Sequence, residues 1–272
     1  LTRKRKSFLF SGPSLHIIVV TLRCNMDCIY CHASSKQKDD FKYDMDLNIA
    51  KQTVDFIFQS PSENIRIEFQ GGEPTLNWGI VKYIIEYALE KNLRSNKLLS
   101  FSIVTNMVEM DDKKMEYLIE NDVGVCSSLD GPKDLHDYNR KYLGGSNYEI
   151  VTKWIKKFKH EYASRGKIKK VNALVTLTKK SMDKPKEIID EYIKLGLRGV
   201  HLRFLNMLGF AKYRWAGISY SVKEYVSFWL TAMCYIDELN QKGIKIEERI
   251  VKVIFDKINS ENDANYLDMR SP

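Results

Sequence analysis

Hydrophobic and polar positions follow two periods that alternate along the chain. Short apolar runs rich in β-branched residues, bounded by turn residues, predict strands over residues 15–22, 65–70, 98–105, 123–129, 170–178 and 199–204. Longer amphipathic stretches predict helices over residues 45–59, 78–91, 111–121, 149–163, 184–195 and 222–241. Asp111 is expected to be the N-cap of the third of these helices.

The alternation of strands and helices indicates an α/β fold. Strands that are separated by helices run parallel, because each crossover returns the chain to the same edge of the sheet. Right-handed crossovers build either an open doubly wound sheet or a barrel, and periodicity does not separate the two. Six β/α units fall short of the eight that close a TIM barrel. A partial (β/α)6 TIM-like barrel with an open side for a large substrate fits this count.

The interior of the chain contains no region that is long enough to be a domain linker. Residues 196–199 and 209–217 are the most loop-like interior segments. We therefore expect a lead-in over residues 1–14, the partial barrel over residues 15–241, and the start of a C-terminal extension over residues 242–272. No apolar run approaches the ~20 residues of a membrane span. The basic N-terminus is followed by an interrupted apolar stretch, which indicates internal sequence rather than a signal peptide.

The cysteine content points to metal or redox chemistry. A chain of 272 residues that is 44% hydrophobic can bury a sizeable core. Its five cysteines are an odd number, and three of them lie within eight residues. This pattern fits no disulfide framework, so a reducing compartment and a cytoplasmic location are expected. Cys126 and Cys234 are predicted to be core packing residues.

The formal net charge of +8 permits binding to nucleic acid without establishing it. Lysine and arginine are scattered along predicted helical faces, as in residues 153–159. Such scatter is more typical of a solvated helix surface than of a nucleic-acid groove. Nucleic acid is therefore not the expected partner, although an acidic peptide or a phosphorylated partner would also be attracted.

The three clustered cysteines are Cys24, Cys28 and Cys31, and they directly follow the first predicted strand. The carboxyl ends of parallel strands are where α/β folds place their chemistry. A [4Fe–4S] cluster normally takes four cysteines, so three leave one iron open to chelate a substrate. The alternative is a structural Cys₃His zinc site that includes His32. The spacing favours the cluster, because adjacent residues fit poorly on one tetrahedral ion and zinc sites usually draw two separated pairs of ligands.

The Cys-x₃-Cys-x₂-Cys spacing, with Tyr30 before the last cysteine, resembles the signature of radical S-adenosylmethionine (SAM) enzymes. Further segments resemble motifs of that family in the same order, each at the end of a predicted strand. The first two are Gln70-Gly71-Gly72-Glu73-Pro74, similar to the GGEP motif, and Thr105-Asn106, where Met107 replaces the glycine of Thr-Asn-Gly. The next two are Ser128-Leu129-Asp130-Gly131, similar to Ser-Ile-Asp-Gly, and residues 136–140, similar to His-Asp-x-x-Arg.

This resemblance implies a role for each segment. The three cysteines would ligate a [4Fe–4S] cluster that cleaves SAM reductively to a 5′-deoxyadenosyl radical. The other implied cofactor contacts are Tyr30, Gln70, Gly71, Gly72, Glu73, Pro74, Thr105, Asn106, Ser128 and Arg140. In the family, the loop with Glu73 holds the amino group of the cofactor, and its glycines let backbone approach a ligand closely. Two readings stay open, because Arg140 could equally form a surface salt bridge and Asp130 could be a turn residue.

The overall resemblance is to radical maturases of ribosomally made peptides with a cysteine-rich SPASM-type extension. Within that group the chain is most similar to the B-type maturase of His-Xaa-Ser peptide systems, and anaerobic sulfatase-maturating enzymes share the architecture. The resemblance implies a precursor peptide or protein substrate, and an electron donor such as flavodoxin or ferredoxin. The cysteines of the extension, which carry auxiliary Fe–S clusters in the family, are absent here, so a truncated chain is expected.

Two other functions remain open from the sequence. They are a radical enzyme that acts on RNA and a zinc-stabilised binding module without catalysis. Arg203, Phe204 and Asn206 follow the sixth predicted strand and either line a peptide site or pack against neighbours.

Overall fold

The computed structural model describes residues 12–167 and 171–259. Its main sheet has six parallel strands in the order β1-β3-β4-β5-β7-β9. These strands are β1 (Leu15–Thr21), β3 (Asn64–Gly71), β4 (Leu98–Val104), β5 (Val123–Ser128), β7 (Asn172–Thr176) and β9 (Leu202–Arg203). Since β1 and β9 do not pair with each other in the described part of the chain, the sheet stays open there, and the predicted partial barrel is confirmed.

Helices connect the successive strands and cover one face of the sheet. They are α1 (Leu47–Ile57), α2 (Trp78–Ser95), α3 (Asp112–Glu120), α4 (Lys133–Asn139), α5 (Asn147–Ser164), α6 (Pro185–Lys194), α7 (Phe210–Ile218), α8 (Val222–Gln241) and α9 (Arg249–Asn259). The side chain of Asp111 accepts a hydrogen bond from the backbone N–H of Lys114, which confirms it as the N-cap of α3.

Two short pairs of strands lie outside the main sheet. Strand β2 (Asp27–Cys28) pairs antiparallel with β6 (Arg140–Lys141). Strand β8 (Gly199–Val200) pairs parallel with β10 (Glu247–Glu248). The sixth predicted strand is thus divided, because its first half pairs with β10 and its second half pairs with β7.

Alternate residues of the main strands separate into two faces. One set is buried against the helices and forms the core, including Ile18, Val20, Ile65, Ile67, Phe69, Phe101, Ile103, Val123, Val125, Ala173 and Val175. The other set points away from the helices, and we call it the inner face. The parallel register places Ile17 beside Glu68 and Glu68 beside Ser102, so all three belong to the inner face. The inner face therefore carries polar side chains such as Glu68 and Ser102 beside apolar ones such as Ile17.

Several sequence-based expectations need correction. The segment predicted as a loop over residues 209–217 is largely the helix α7. Cys234 is exposed rather than packed in the core, and Cys126 is half-buried on the inner face of β5. Part of the predicted lead-in (residues 1–11) and residues 260–272 of the predicted extension lie outside the described residues, so the domain division stays a prediction. Across residues 12–167 and 171–259, no helix is long and apolar enough to cross a membrane.

Candidate active site

The loop with the three cysteines begins directly after β1 and is anchored at its base by Arg23. The Arg23 side chain is buried, and its Nε and Nη2 atoms each donate to the carboxylate of Asp44 at 2.7 Å. Its Nη1 atom donates to the backbone oxygen of Lys38 at 2.6 Å. The backbone N–H of Cys24 donates to the oxygen of Lys36 at 2.9 Å. The start of the loop is therefore held by both backbone and charged side-chain contacts.

Strands β2 and β6 join the middle of the cysteine loop to the segment that follows α4. Cys28 pairs with Arg140 in this ladder, and the backbone N–H of Ile29 donates to the oxygen of Asn139 at 2.9 Å. Two segments that are far apart in the sequence are thus brought together by main-chain hydrogen bonds. The resemblance assigned both segments to one cofactor, and the structure places them side by side.

Helix α7 covers the far end of the same loop. Its backbone N–H at Phe210 donates to the oxygen of Cys31 at 2.7 Å. The Arg214 side chain donates to the oxygen of Cys28 at 3.3 Å and to the Asp27 carboxylate at 2.9 Å. These contacts were not expected from the sequence, which predicted a loop at this position.

Two of the cysteine thiols lie in surroundings that favour the protonated form. Burial raises the pKa of Cys24 to about 12, with Glu73 and Cys28 adding to the effect. Burial also raises the pKa of Cys28 to about 11, against the opposing influence of Arg140. The amide Nδ2 of Asn106 donates to Cys24 Sγ at 3.7 Å. Because only thiolates ligate metal, loading of a metal or cluster here must release protons.

The donor set of this loop fits an iron–sulfur cluster. Soft thiolates select iron–sulfur clusters or zinc, and three of them belong to one short loop that is held at both ends. Among the described residues, no three His, Cys, Asp or Glu side chains are already arranged as a metal site. The loop therefore supplies the required ligand type, while the final geometry depends on the group that binds.

The two glycines after β3 allow close packing of backbone. A Cβ atom on Gly71 would lie 2.1 Å from the backbone oxygen of Thr21, and the φ angle of Gly71 is 141°. A Cβ atom on Gly72 would lie 2.2 Å from the backbone oxygen of Arg23. The glycines thus let this loop pack directly on the start of the cysteine loop. The approach of these glycines to a ligand stays a prediction.

The carboxylate of Glu73 is buried in a network of protein donors. Its Oε1 atom accepts from the N–H of Thr75 at 3.0 Å, the hydroxyl of Thr75 at 2.6 Å and the hydroxyl of Thr105 at 2.8 Å. Its Oε2 atom accepts from the N–H of Asn106 at 2.7 Å. Burial raises the pKa of Glu73, and these hydrogen bonds oppose that effect. Glu73 thereby joins the loop after β3, where Pro74 opens a short 3₁₀ helix, to the loop after β4.

Tyr30, Asp130 and Arg140 form a second buried network beside the cysteines. The Tyr30 hydroxyl donates to Asp130 Oδ2 at 2.7 Å and accepts from Arg140 Nη1 at 3.0 Å. Asp130 Oδ1 accepts from the N–H of Thr176 at 3.2 Å. Each of Tyr30, Asp130 and Arg140 is at most 8% exposed, so the surface salt bridge considered for Arg140 is wrong. Asp130 is a buried acceptor rather than only a turn residue.

Asn147 is a site residue that the sequence reasoning missed. It lies in the first turn of α5 and is fully buried. Its Oδ1 atom accepts from Arg140 Nε at 3.4 Å and lies 2.9 Å from His136 Nε2, while its Nδ2 atom donates to the oxygen of Asn106 at 3.0 Å. His136 Nδ1 accepts from the N–H of Asp130 at 3.3 Å, so Nε2 carries the proton. No local sequence pattern predicts that a polar residue in the first turn of this helix is buried.

The remaining predicted residues lie on the inner face. The side chain of Gln70 donates to Glu68 at 2.5 Å, and Ser102 donates to the other oxygen of Glu68 at 3.1 Å. Ser128 is half-buried at the end of β5, opposite Leu174. Thus Glu73, Thr105 and Asn106 are joined in one network with the cysteine loop, whereas Gln70 and Ser128 lie on the barrel wall.

A groove of about 710 Å³ opens at the other end of the sheet. Its lining includes Gly12, Ser14, Asn64, Arg66 and Leu98. These residues precede or begin β1, β3 and β4, whereas the cysteine loop follows the end of β1. The groove therefore does not contribute to the candidate active site.

The fold and the site together define an α/β enzyme class in which a partial parallel barrel carries a cysteine loop after its first strand. The family model of the radical SAM superfamily matches residues 18–192, and the chain belongs to this superfamily. Enzymes of the family use a [4Fe–4S] cluster and SAM. The expected family and cofactors are thus confirmed.

Individual relatives agree with this assignment. The chain is 29% identical over 160 residues to the cysteine-type anaerobic sulfatase-maturating enzyme of Clostridium perfringens, which covers 55% of this chain and 43% of the relative. It is similar in fold to native anSMEcpe with bound AdoMet and Kp18Cys peptide, with a TM-score of 0.75, 22% identity, and 90% of this chain and 65% of that chain covered. It is also similar in fold to Streptococcus suis SuiB bound to precursor peptide SuiA, with a TM-score of 0.64, 18% identity, and 90% and 52% covered.

These relatives are longer than the chain. The chain spans between 31% and 64% of the length of the first curated relatives that it matches. The similarity therefore covers the barrel that carries the cysteine loop.

Proposed function

We propose that Cys24, Cys28 and Cys31 hold the [4Fe–4S] cluster, and that the chain uses it to modify a peptide or protein substrate. The observation that supports this most strongly is the position of the cysteine loop. It packs against the loop with Glu73, against the buried Arg140 and against helix α7. All of these follow the carboxyl ends of strands. In a parallel α/β fold this is the edge where chemistry takes place.

When bound, the cluster would supply the electron that cleaves SAM to a 5′-deoxyadenosyl radical, which takes a hydrogen atom from the substrate. The residues of the chain would bind and orient SAM and the substrate, and they would exclude water from the site. Arg140 is a buried cation whose partners Tyr30 and Asn147 hold it in place, so it is suited to bind a carboxylate of the cofactor. Glu73 has one protein donor on Oε2, which leaves acceptor capacity for an ammonium group.

The peptide substrate rests on the relatives and on the shape of the barrel. An anaerobic sulfatase-maturating enzyme with a bound peptide and SuiB with its precursor peptide have similar folds. The inner face carries polar side chains such as Glu68 and exposed apolar ones such as Ile17, so a peptide could lie along it. We further propose that the chain belongs to the SPASM-type group and is most similar to its B-type maturases. A longer chain would carry auxiliary clusters, flavodoxin or ferredoxin would donate the electron, and the protein would act in the cytoplasm.

The test compares two cysteine variants after anaerobic reconstitution with iron and sulfide. The triple variant Cys24→Ala, Cys28→Ala, Cys31→Ala should bind no cluster and form no 5′-deoxyadenosine from SAM with a strong reductant. Cys234→Ala is the matched control, because this exposed cysteine lies outside the site, and it should behave as the wild type. Iron and sulfide content and 5′-deoxyadenosine are measured together.

Unchanged 5′-deoxyadenosine formation in the triple variant would contradict the ligand assignment. A wild-type protein that takes up zinc but no iron and sulfide would support a zinc module instead. Co-expression with the peptide encoded beside the gene, followed by mass spectrometry, tests the substrate class, because a modified peptide changes in mass.

A further inference from the structure

Two arginines lie on adjoining elements at one side of the barrel, Arg203 on β9 and Arg249 at the start of α9. Arg203 is half-buried on β9, and its Nη2 atom donates to the Thr176 hydroxyl at 3.0 Å. Arg249 is the first residue of α9, directly after the strand that pairs with β8. Both arginines oppose the rise in the pKa of Cys126, which shows that both guanidinium groups lie near that thiol.

The backbone at this wall is fixed by Glu248. Its Oε1 atom accepts from the N–H of Leu202 at 3.3 Å, and its Oε2 atom accepts from the N–H of Val251 at 2.9 Å. Glu248 is buried, so its carboxylate is used to join α9 to β9. This contact holds Arg249 beside the residues that lead into Arg203.

Neither guanidinium is neutralised by an ion pair. Within the part of the chain that the structure describes, no carboxylate lies within ion-pair distance of Arg203 or Arg249. The carboxylate of Glu68 also lies near Cys126, where it adds to the rise in the pKa of that thiol, and it accepts from Gln70 and Ser102. The inner face is thus negative at β3 and positive at β9.

His201 supplies an independent sign that a ligand binds here. Its side chain is 9% exposed, and its Nδ1 atom has no hydrogen-bond partner. Burial, Arg249 and Arg203 lower its pKa to about 4, so the ring is neutral at pH 7. A buried polar nitrogen without a partner is costly, and in the tautomer that carries its proton on Nδ1 a bound anion that accepts from Nδ1–H would remove that cost.

We propose that Arg203, Arg249 and His201 form a subsite for a carboxylate of the peptide substrate. This inference rests on the proposed peptide function and names the recognition chemistry within it. Arginine forms paired hydrogen bonds with carboxylates, and two arginines without ion-pair partners suit one anionic group. A carboxylate held there would orient the neighbouring residue of the peptide for reaction.

The carboxylate could belong to an acidic side chain or to the C-terminus of the peptide. Three pools of labelled N-acetyl hexapeptides, whose other positions are random mixtures of uncharged residues, separate these sources. The first has a central Asp and an amidated C-terminus, the second has a central Asn and an amidated C-terminus, and the third has a central Asn and a free C-terminus. Binding to the anaerobically reconstituted full chain is measured by fluorescence anisotropy with saturating SAM, whose own carboxylate is then already accommodated.

The first or the third pool should bind about 10- to 100-fold more tightly than the second, as expected for hydrogen bonds to a charged group. That preference should be lost in Arg203→Gln and, separately, in Arg249→Gln. Lys153→Gln is the matched control, because it removes one positive charge from the outer helix α5. It should retain the full preference. Arg249 is exposed, so its substitution leaves the core intact, and circular dichroism checks the fold of each variant.

Equal binding of all three pools would overturn the subsite and leave the peptide function standing. A preference that survives in both arginine variants would also overturn it, because the carboxylate would then be held elsewhere. Binding of no pool would overturn both the subsite and the peptide substrate. Formation of 5′-deoxyadenosine without peptide is measured separately, and its absence in the wild type would count against the enzyme function alone.

Discussion

At the scale of single residues, Met107 has an unusual backbone conformation. Its φ angle is 62°, in the left-handed region that favours glycine, and it stands where the resembling Thr-Asn-Gly motif has glycine. Its N–H donates to the Thr105 hydroxyl at 3.0 Å, and its side chain is fully buried. Backbone strain and side-chain burial therefore oppose each other at this position. Burial is the larger effect, since a buried Met→Ala change costs about 2–5 kcal/mol and the left-handed conformation costs roughly 1–2 kcal/mol.

We expect both Met107→Ala and Met107→Gly to destabilise the protein, with glycine the less harmful change. Alanine loses the buried side chain and keeps the strain, whereas glycine relieves the strain. Glycine should therefore be more stable than alanine by roughly 1 kcal/mol, after its greater freedom in the unfolded chain is taken into account. Urea unfolding measures the free energy of each variant.

Met115 is the matched control, because it is buried in the middle of the regular helix α3. There the order should reverse, with Met115→Gly less stable than Met115→Ala by about 1 kcal/mol. Alanine more stable than glycine at both positions would show that the conformation of Met107 carries no strain.

Single residues also show which properties the sequence could not predict. The spacing of the cysteines identified them as candidates, and the resemblance to a family motif identified Glu73 and Arg140. Whether Arg140 is buried or exposed depends on what packs around it. The same holds for Glu73, whose carboxylate is surrounded by donors from Thr75, Thr105 and Asn106.

At the scale of elements, α7 is the clearest departure from the sequence-based expectation. Only Ala211 and Ile218 of this nine-residue helix are buried, so its apolar period is too weak to predict a helix. It packs with Ile29, Tyr30 and Leu205 in a small second core beside the cysteine loop. The helix is thus stabilised by tertiary contacts rather than by its own pattern.

Gly209, which precedes α7, packs closely against the cysteine loop. Its φ angle is 57°, and a Cβ atom there would lie 2.4 Å from the backbone oxygen of Cys31. Gly209→Ala should therefore displace α7 from the loop and lower the iron and sulfide bound after reconstitution by at least half. Circular dichroism should show that the barrel remains folded, because the change lies outside the main sheet.

Gly217→Ala provides the matched control in the same helix. No atom lies within 4 Å of a Cβ built at Gly217, and alanine favours the helix by up to about 1 kcal/mol. This variant should bind the cluster as the wild type does. Equal cluster content in the two variants would show that close contact between α7 and the loop is not needed for cluster binding.

At the scale of the whole molecule, the net charge of +8 is dispersed. Many cationic groups pair with carboxylates on the helices, including Lys91 with Asp55, Lys157 with Asp112, and Arg165 with Glu116. These pairs are spread over several helices and offset part of the positive charge there. The arrangement argues against a nucleic-acid groove, which requires a continuous positive surface.

We expect weak binding to single-stranded RNA with a shallow dependence on salt. The slope of log K against log salt is about −0.7 per phosphate contacted, so fewer than about three contacts predict a slope shallower than about −2. Fluorescence anisotropy with a labelled RNA oligonucleotide at several salt concentrations measures this slope. A slope steeper than about −4 would favour the RNA-modifying alternative.

The sequence by itself determined the local features of this protein. Hydrophobic periodicity predicted the strands and helices of the barrel, and cysteine spacing predicted the thiol-rich loop, because both signals are carried by residues close together in the chain. The order of the motifs also placed the candidate residues at successive strand ends.

Only the tertiary structure decided how those residues are used. Tyr30 contacts Asp130 across 100 positions and Arg140 across 110 positions, and no local pattern encodes such contacts. No local pattern encodes the packing of the glycines on Thr21, or the contact of α7 with the cysteine loop. Burial and hydrogen-bond partners depend on residues that folding brings together, so the chemistry of a side chain is readable from sequence while its environment is not.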